Sequence, residues 1–241
     1  MKFNKISAAS IAATMAIGSF SMLPGIAQAE TSASLTLSNM YLWRGVNLTP
    51  DGPALAASLD YSHESGMYAG VWTTNEDDGT ETDLYLGFAG KAGDFSYDIS
   101  YILYLYPEEG FTTDDPTVTP TNADLGDTDL SEIALGLGYM DFGAKFYISS
   151  DSDIVGSDYI YYTLDYTVGK YNILFGAFSF DKPGLKDSGG NVTNPGDYSH
   201  VTLSYSYNDE LTFAVNLAQE DIVDGVETDP LFVVSYSVPL K

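Results

Sequence analysis

Phe95-Ser96-Tyr97-Asp98-Ile99-Ser100-Tyr101-Ile102-Leu103-Tyr104-Leu105 decides the fold, because Phe95, Tyr97, Ile99, Tyr101, Leu103 and Leu105 fall on one face. The other face carries Ser96, Asp98, Ser100, Ile102 and Tyr104. A period of two is the mark of a strand whose sides meet different media. Apolar spacing at i, i+3 and i+4, which a helix would need, is almost absent from the chain.

The same alternation recurs in twelve segments: 33 to 44, 54 to 61, 67 to 75, 81 to 89, 94 to 106, 131 to 140, 144 to 150, 158 to 168, 172 to 180, 198 to 207, 211 to 219 and 230 to 240. Their lengths centre on the ~9 to 11 residues of a tilted membrane-crossing strand. Connections alternate between tight and long. The tight ones are His63-Glu64-Ser65-Gly66, Gly90 to Gly93, Asp141-Phe142-Gly143, Gly169-Lys170 and Asn208-Asp209-Glu210. Between them lie 45 to 53, 76 to 80, 107 to 130, 151 to 157, 181 to 197 and 220 to 229. That rhythm fits a closed antiparallel transmembrane β-barrel of about twelve strands, all-β, with short periplasmic turns and longer extracellular loops. An even strand count places both termini on the short-turn side.

A soluble β-sandwich also alternates, but its outward face would be rich in charge. Here the less apolar face is full of small residues: Gly70, Gly87, Ala134, Gly136, Gly138, Gly176, Ala214 and Ala218. Such residues suit the crowded inside of a closed sheet. On the apolar face, Tyr61, Phe88, Phe95, Tyr97, Tyr139, Tyr166, Tyr205, Tyr207 and Phe213 gather toward the short-turn end, as in an interfacial aromatic girdle. Charged residues are 18% of the chain and aromatics 14%, with 19 Tyr. That balance suits a membrane interface better than a solvated face.

The first 29 residues are read separately. Lys2 and Lys5 precede an apolar stretch from Ile6 to Met22, and Ala27-Gln28-Ala29 forms a small-residue cleavage site. Residues 1 to 29 are therefore expected to be a signal peptide and 30 to 241 the barrel domain. The formal charge of −25 becomes −27 once the two leader lysines are gone. Nucleic acid is an unfavourable partner for such a surface. No cysteine is present, which excludes a disulfide-stapled fold and Cys-ligated zinc or iron-sulfur centres.

Specific blocks resemble a known family. Ser38-Asn39-Met40-Tyr41-Leu42-Trp43-Arg44-Gly45, Asp51-Gly52-Pro53-Ala54-Leu55 and Ser58 to Trp72 are similar to the TorF-type family of outer-membrane porins. The likeness continues through Glu81 to Tyr85, Gly93 to Asp98 and Tyr104 to Pro107, and weakens after about residue 150. It implies an outer-membrane barrel in a Gram-negative bacterium, with a porin-like role. Outer-membrane barrels commonly close on an aromatic residue that the barrel-assembly machinery recognises, and that machinery is an expected partner during biogenesis. The present chain departs from the pattern, ending Val238-Pro239-Leu240-Lys241.

With the apolar face toward lipid, parity puts Asp60, Asp83, Asp98, Glu132 and Asp165 inside, with Lys145 and Arg44. A charge facing lipid at mid-membrane costs ~2 to 4 kcal/mol, which makes this placement the consistent register. Acids in a low-dielectric tube concentrate cations. Pairing with Arg44 and Lys145 to brace the interior is an equal alternative. The same face carries Trp72, Tyr85, Tyr104, Tyr147 and Tyr161, with Tyr68, Tyr159 and Phe178, and these narrow the opening. The loop 107 to 130 is one candidate constriction. Its seven acids, Glu108, Glu109, Asp114, Asp115, Asp124, Asp127 and Asp129, form a solvated surface open to divalent cations. Asp151-Ser152-Asp153 and Asp158 lack the glycine and final glutamate of an EF-hand.

Catalysis is not expected. His63-Glu64-Ser65 has the spacing of an outer-membrane phospholipase pair but falls in a tight turn, and His200 lies toward the other end of its strand. No Gly-x-Ser-x-Gly elbow, phosphate loop or metal-spaced histidine pair occurs. No cofactor and no metal centre are expected, and with only Glu30 to Ser32 ahead of the first strand no plug is expected either. The reading is a passive channel for small, cationic or neutral hydrophilic solutes, set in outer-membrane lipid. The alternative is a non-conducting structural or surface-binding barrel acting through its acidic loops.

Overall fold

A computed structural model describes residues 29–50, 52–76, 79–106, 130–151, 157–182, 196–220 and 228–240. The leader expected over residues 1 to 29 falls almost wholly outside them, as do the acidic loop 107–129 and the middle of the segment 151–157.

Alternating sequence becomes wall. The strands are β1 (Glu30–Ser38), β2 (Leu42–Trp43), β3 (Val46–Asn47), β4 (Ala54–Ser62), β5 (Met67–Asn75), β6 (Thr80–Ala92), β7 (Phe95–Leu105), β8 (Leu130–Tyr139), β9 (Phe142–Asp151), β10 (Tyr159–Val168), β11 (Tyr171–Phe180), β12 (Tyr198–Ser206), β13 (Leu211–Glu220) and β14 (Leu231–Leu240). All but β2 and β3 form one closed antiparallel barrel of twelve strands. β1 closes it by pairing with β4 on one side and β14 on the other. Closure leaves no unpaired sheet edge, the condition for crossing lipid with strands. No helix among the described residues is long and apolar enough to cross a membrane.

Inside and outside follow the period of two. Along β7, Phe95, Tyr97, Ile99 and Tyr101 are exposed while Ser100, Ile102 and Tyr104 are buried. Leu37, Leu55, Leu86, Leu137 and Phe232 are each more than half exposed on the outer wall. In water that apolar area would be an aggregation hazard; in a bilayer it is the solvated face. Toward the short-turn end the belt turns aromatic, with contacts such as Phe95 to Tyr139 and Phe142 to Tyr166, both at 4.6 Å between ring centroids.

One expectation is overturned. The strand anticipated from 33 to 44 stops at Ser38, and Arg44 does not stand on the wall. Asn39 ends the strand by bonding across to β14, its side-chain amide donating to Phe232 O at 2.9 Å while its carbonyl accepts from Val234 N at 2.7 Å. The chain then turns into the barrel as a second sheet, the hairpin β2–β3. Alternation persists through Tyr41, Leu42 and Trp43, which is why it reads as continuous strand. The extra sheet is in effect a plug, contrary to the expectation of none.

Candidate functional site

The hairpin is built around Arg44-Gly45. Leu42 pairs with Asn47 and Trp43 with Val46, leaving these two residues as the loop. Arg44 has φ 48 and Gly45 φ 94, the paired positive angles of a type I′ turn. Glycine takes that conformation freely, whereas arginine is strained by it. Gly45 is needed for space as well, since a Cβ there would lie 2.9 Å from the His200 ring. Below the turn, Leu48 N donates to Tyr41 O at 2.8 Å and Tyr41 N to Thr49 Oγ1 at 2.8 Å, fixing the hairpin's base.

Strain at Arg44 is offset by what its side chain reaches. The guanidinium donates Nη1 to Glu132 Oε1 and Nη2 to Glu132 Oε2, both at 2.6 Å, and Nη2 also to the Tyr104 hydroxyl at 3.2 Å. Tyr104 and Tyr159 hydroxyls each donate to Glu132 at 2.7 Å, so the carboxylate accepts four bonds. Both members are buried, with side chains 2% and 0% exposed. Rings surround the cation: its Cζ lies 4.4 Å from the Tyr147 centroid, 4.5 Å from Tyr161, 4.7 Å from Trp43 and 5.5 Å from Phe178. Desolvated cation–π contacts contribute ~2 kcal/mol apiece at best. Glu132 points inward by the alternation of β8, which buries Ala134 and exposes Ile133 and Leu135, and the β8–β9 pairing shifts register between Ser131 and Glu132.

The wall also holds the turn's backbone. Tyr198 donates its hydroxyl to Arg44 O at 3.1 Å, and Asn216 Nδ2 to Gly45 O at 3.2 Å. Asn216 accepts from Thr202 Oγ1 at 2.9 Å and sits 3.1 Å from His200 Nδ1, while His200 Nε2 meets the Tyr161 hydroxyl at 2.8 Å. His63 is elsewhere, 2.9 Å from Ser65 Oγ in an exposed tight turn. A further contact to the wall runs from Tyr41, whose hydroxyl donates to Glu81 Oε1 at 3.0 Å.

The sequence-derived residues thus divide by height. Glu132, Tyr104, Tyr147 and Tyr161 meet Arg44 in the long-loop half, with Trp72 packed on Tyr41 at 5.5 Å and Asp83 buried on the face that carries Glu81. In the short-turn half Asp60, Asp98, Asp165 and Lys145 are half-buried on the inward face. There Tyr85 donates to Asp60, which also accepts from Ser58 Oγ at 3.0 Å, and Tyr68 donates to Asp98 at 2.8 Å. Asn172 donates to Asp165 at 3.2 Å, and Lys145 stands in the field of Asp98 and Asp165. Small residues make the room: the Tyr85 ring lies directly over Gly70, where a Cβ would collide with it.

Glu81, Thr202, Tyr198 and Asn216 were not singled out by the sequence analysis, which weighed His200 only as a catalytic residue. The parity that turns Asp83 inward does the same for Glu81, and Gly45, two residues after Trp43, is the local cue to a tight turn. Among the described residues no cluster of His, Asp and Glu has the arrangement of a metal site.

Comparison with solved structures gives full-length but distant likenesses. A chain from work on the in-meso crystallization of membrane proteins aligns with TM-score 0.54 at 9% identity, over 86% of this chain and 83% of that one. The KdgM porin aligns at TM-score 0.46 and 10% identity over 87% and 98%, and the outer membrane phospholipase A from Escherichia coli at 0.41 and 11% over 98% and 99%. No curated protein matches the sequence. A family model described as "Bacterial protein of unknown function (Gcw_chp)" matches residues 25–218. The chain belongs to the Gcw_chp family.

Proposed function

We propose that the protein is a porin-like passive channel of the Gram-negative outer membrane, passing small cationic or neutral hydrophilic solutes, with the β2–β3 hairpin as its resting constriction. The observation that carries this reading is the division of the lumen by height. A barrel that served only as a wall would pack its interior throughout. Here the short-turn half is lined by half-buried Asp60, Asp98, Asp165 and Lys145, and the way is narrowed by one hairpin whose single charge is pinned to the wall. Three acids against one base make that half cation-attracting. The resemblance of the blocks between Ser38 and Pro107 to TorF-type porins supports the same reading.

The exposed apolar belt favours outer-membrane lipid as the surrounding medium, and export by the leader with delivery to the barrel-assembly machinery completes the proposal. One observation favours the alternative of a non-conducting barrel: Trp43, Phe178, Phe180, Tyr159, Tyr161 and Tyr198 fill the long-loop half with rings 4.6 to 5.6 Å apart. Reconstitution of the chain in a planar bilayer separates the two. Small single-channel steps with a reversal potential favouring cations are expected, and a folded barrel that stays silent at all voltages overturns the channel.

A further inference from the structure

The Arg44 cage has the composition of a receptor. Its wall portion, Tyr104, Glu132, Tyr147, Tyr161 and Phe178, comes from five adjacent barrel strands, β7 to β11, while the hairpin contributes Trp43 and the arginine itself. The carboxylate meets the guanidinium edge-on through two parallel bonds, while aromatic faces cover the cation. Bidentate pairing selects the planar fork of a guanidinium over the point charge of an ammonium. The occupant has little pairing of its own, since β2 and β3 have two residues each and the arginine is held at a positive φ; its release breaks the bonds from Tyr198 and Asn216 to the turn's backbone. With the hairpin seated Glu132 is fully buried, and withdrawing the arginine leaves its carboxylate without a counter-charge in the lumen, which favours entry of another cation.

We propose that this cage is a binding site for solutes bearing a guanidinium group, and that Arg44 occupies it at rest as a built-in stand-in for them. A guanidinium solute arriving in the lumen competes for Glu132 and releases the hairpin, so the solute that fits the cage also widens the path. The inference rests on the channel reading for that consequence, but the binding itself does not require a current.

The test is chemical rescue of Arg44→Ala, folded in detergent, by methylguanidinium at millimolar concentration. Trp43 borders the cage, so binding is read from tryptophan emission and from the temperature at which the heat-modifiable band converts to the unfolded one. A saturable emission change and a raised conversion temperature are expected in Arg44→Ala, at least tenfold weaker with methylammonium at equal ionic strength and absent in Arg44→Ala/Glu132→Gln. No saturable response, an equal response to methylammonium, or an equal response in the double variant overturns the proposal. Should Arg44→Ala fold poorly, refolding yield with and without methylguanidinium is the readout, and an unchanged yield counts against it. A silent barrel that binds methylguanidinium removes the channel and leaves the site. A conducting barrel whose Arg44→Ala form ignores methylguanidinium removes the site and leaves the channel.

Discussion

Glu132 shows what one residue carries here. It is 0% exposed, receives both guanidinium nitrogens of Arg44 and two tyrosine hydroxyls, and is turned inward by the alternation of β8. Removing one member of such a pair strands the other, at a cost of about 3 to 5 kcal/mol. Glu132→Gln is therefore expected to lower the unfolding free energy of the refolded barrel, measured by urea titration, by that much. Arg44→Leu/Glu132→Leu, which strands no charge, should recover most of the loss. Equal destabilisation by single and double variants would show that the pair contributes nothing beyond packing. Gly45→Ala tests the turn. Its φ of 94 is strained for alanine and the new Cβ would press on His200, so roughly 1 kcal/mol or more is expected against the seated hairpin. In a bilayer the variant should open more often than the parent; unchanged gating would separate the turn from the constriction.

At the scale of elements, alternation was sufficient for the wall because lipid outside and side chains inside both act at every second residue. Eleven of the twelve segments run within a few residues of their strands, and Asp60, Asp83, Asp98 and Asp165 sit on the inward face, opposite the apolar one. The exception is instructive. Tyr41, Leu42 and Trp43 continue the pattern of β1 beyond Ser38 because an inward hairpin also has an apolar side, so periodicity cannot tell a wall strand from chain that has left the wall. Only Asn39 and the Arg44-Gly45 turn mark the departure, and their force lies in contacts with β14, β12 and β13 that no local window contains. The belt itself can be challenged. Leu86, 60% exposed at the middle of β6, becomes a lipid-facing charge in Leu86→Arg, which should cost ~2 to 4 kcal/mol in vesicle refolding. A neutral effect would mean that this face does not meet hydrocarbon.

For the whole molecule, the charge that matters is the part facing the lumen, not the total of −25. Asp60→Asn/Asp98→Asn/Asp165→Asn leaves Lys145 as the half-buried charge named in the short-turn half, so the reversal potential in a salt gradient should move from cation preference toward anion preference. An unmoved reversal potential would place selectivity in the loops. Whole-molecule contacts also explain what stayed illegible: Arg44 meets Glu132 across 88 residues of sequence, and its carbonyl meets Tyr198 across 154.

Those separations bear on how the barrel is made. The hairpin follows the first strand, while the contacts that seat it arrive in order, from Glu81 on β6 and Glu132 on β8 to Tyr198 on β12 and Asn216 on β13. The β1–β14 seam joins the two ends of the strand order. Because the hairpin bonds at once to β6 and β8 on one side and to β12 and β13 on the other, it fixes distances across the barrel that pairing between neighbouring strands leaves free. The inward turn is in that sense a strut, tying opposite sides of the wall to the chain that follows β1.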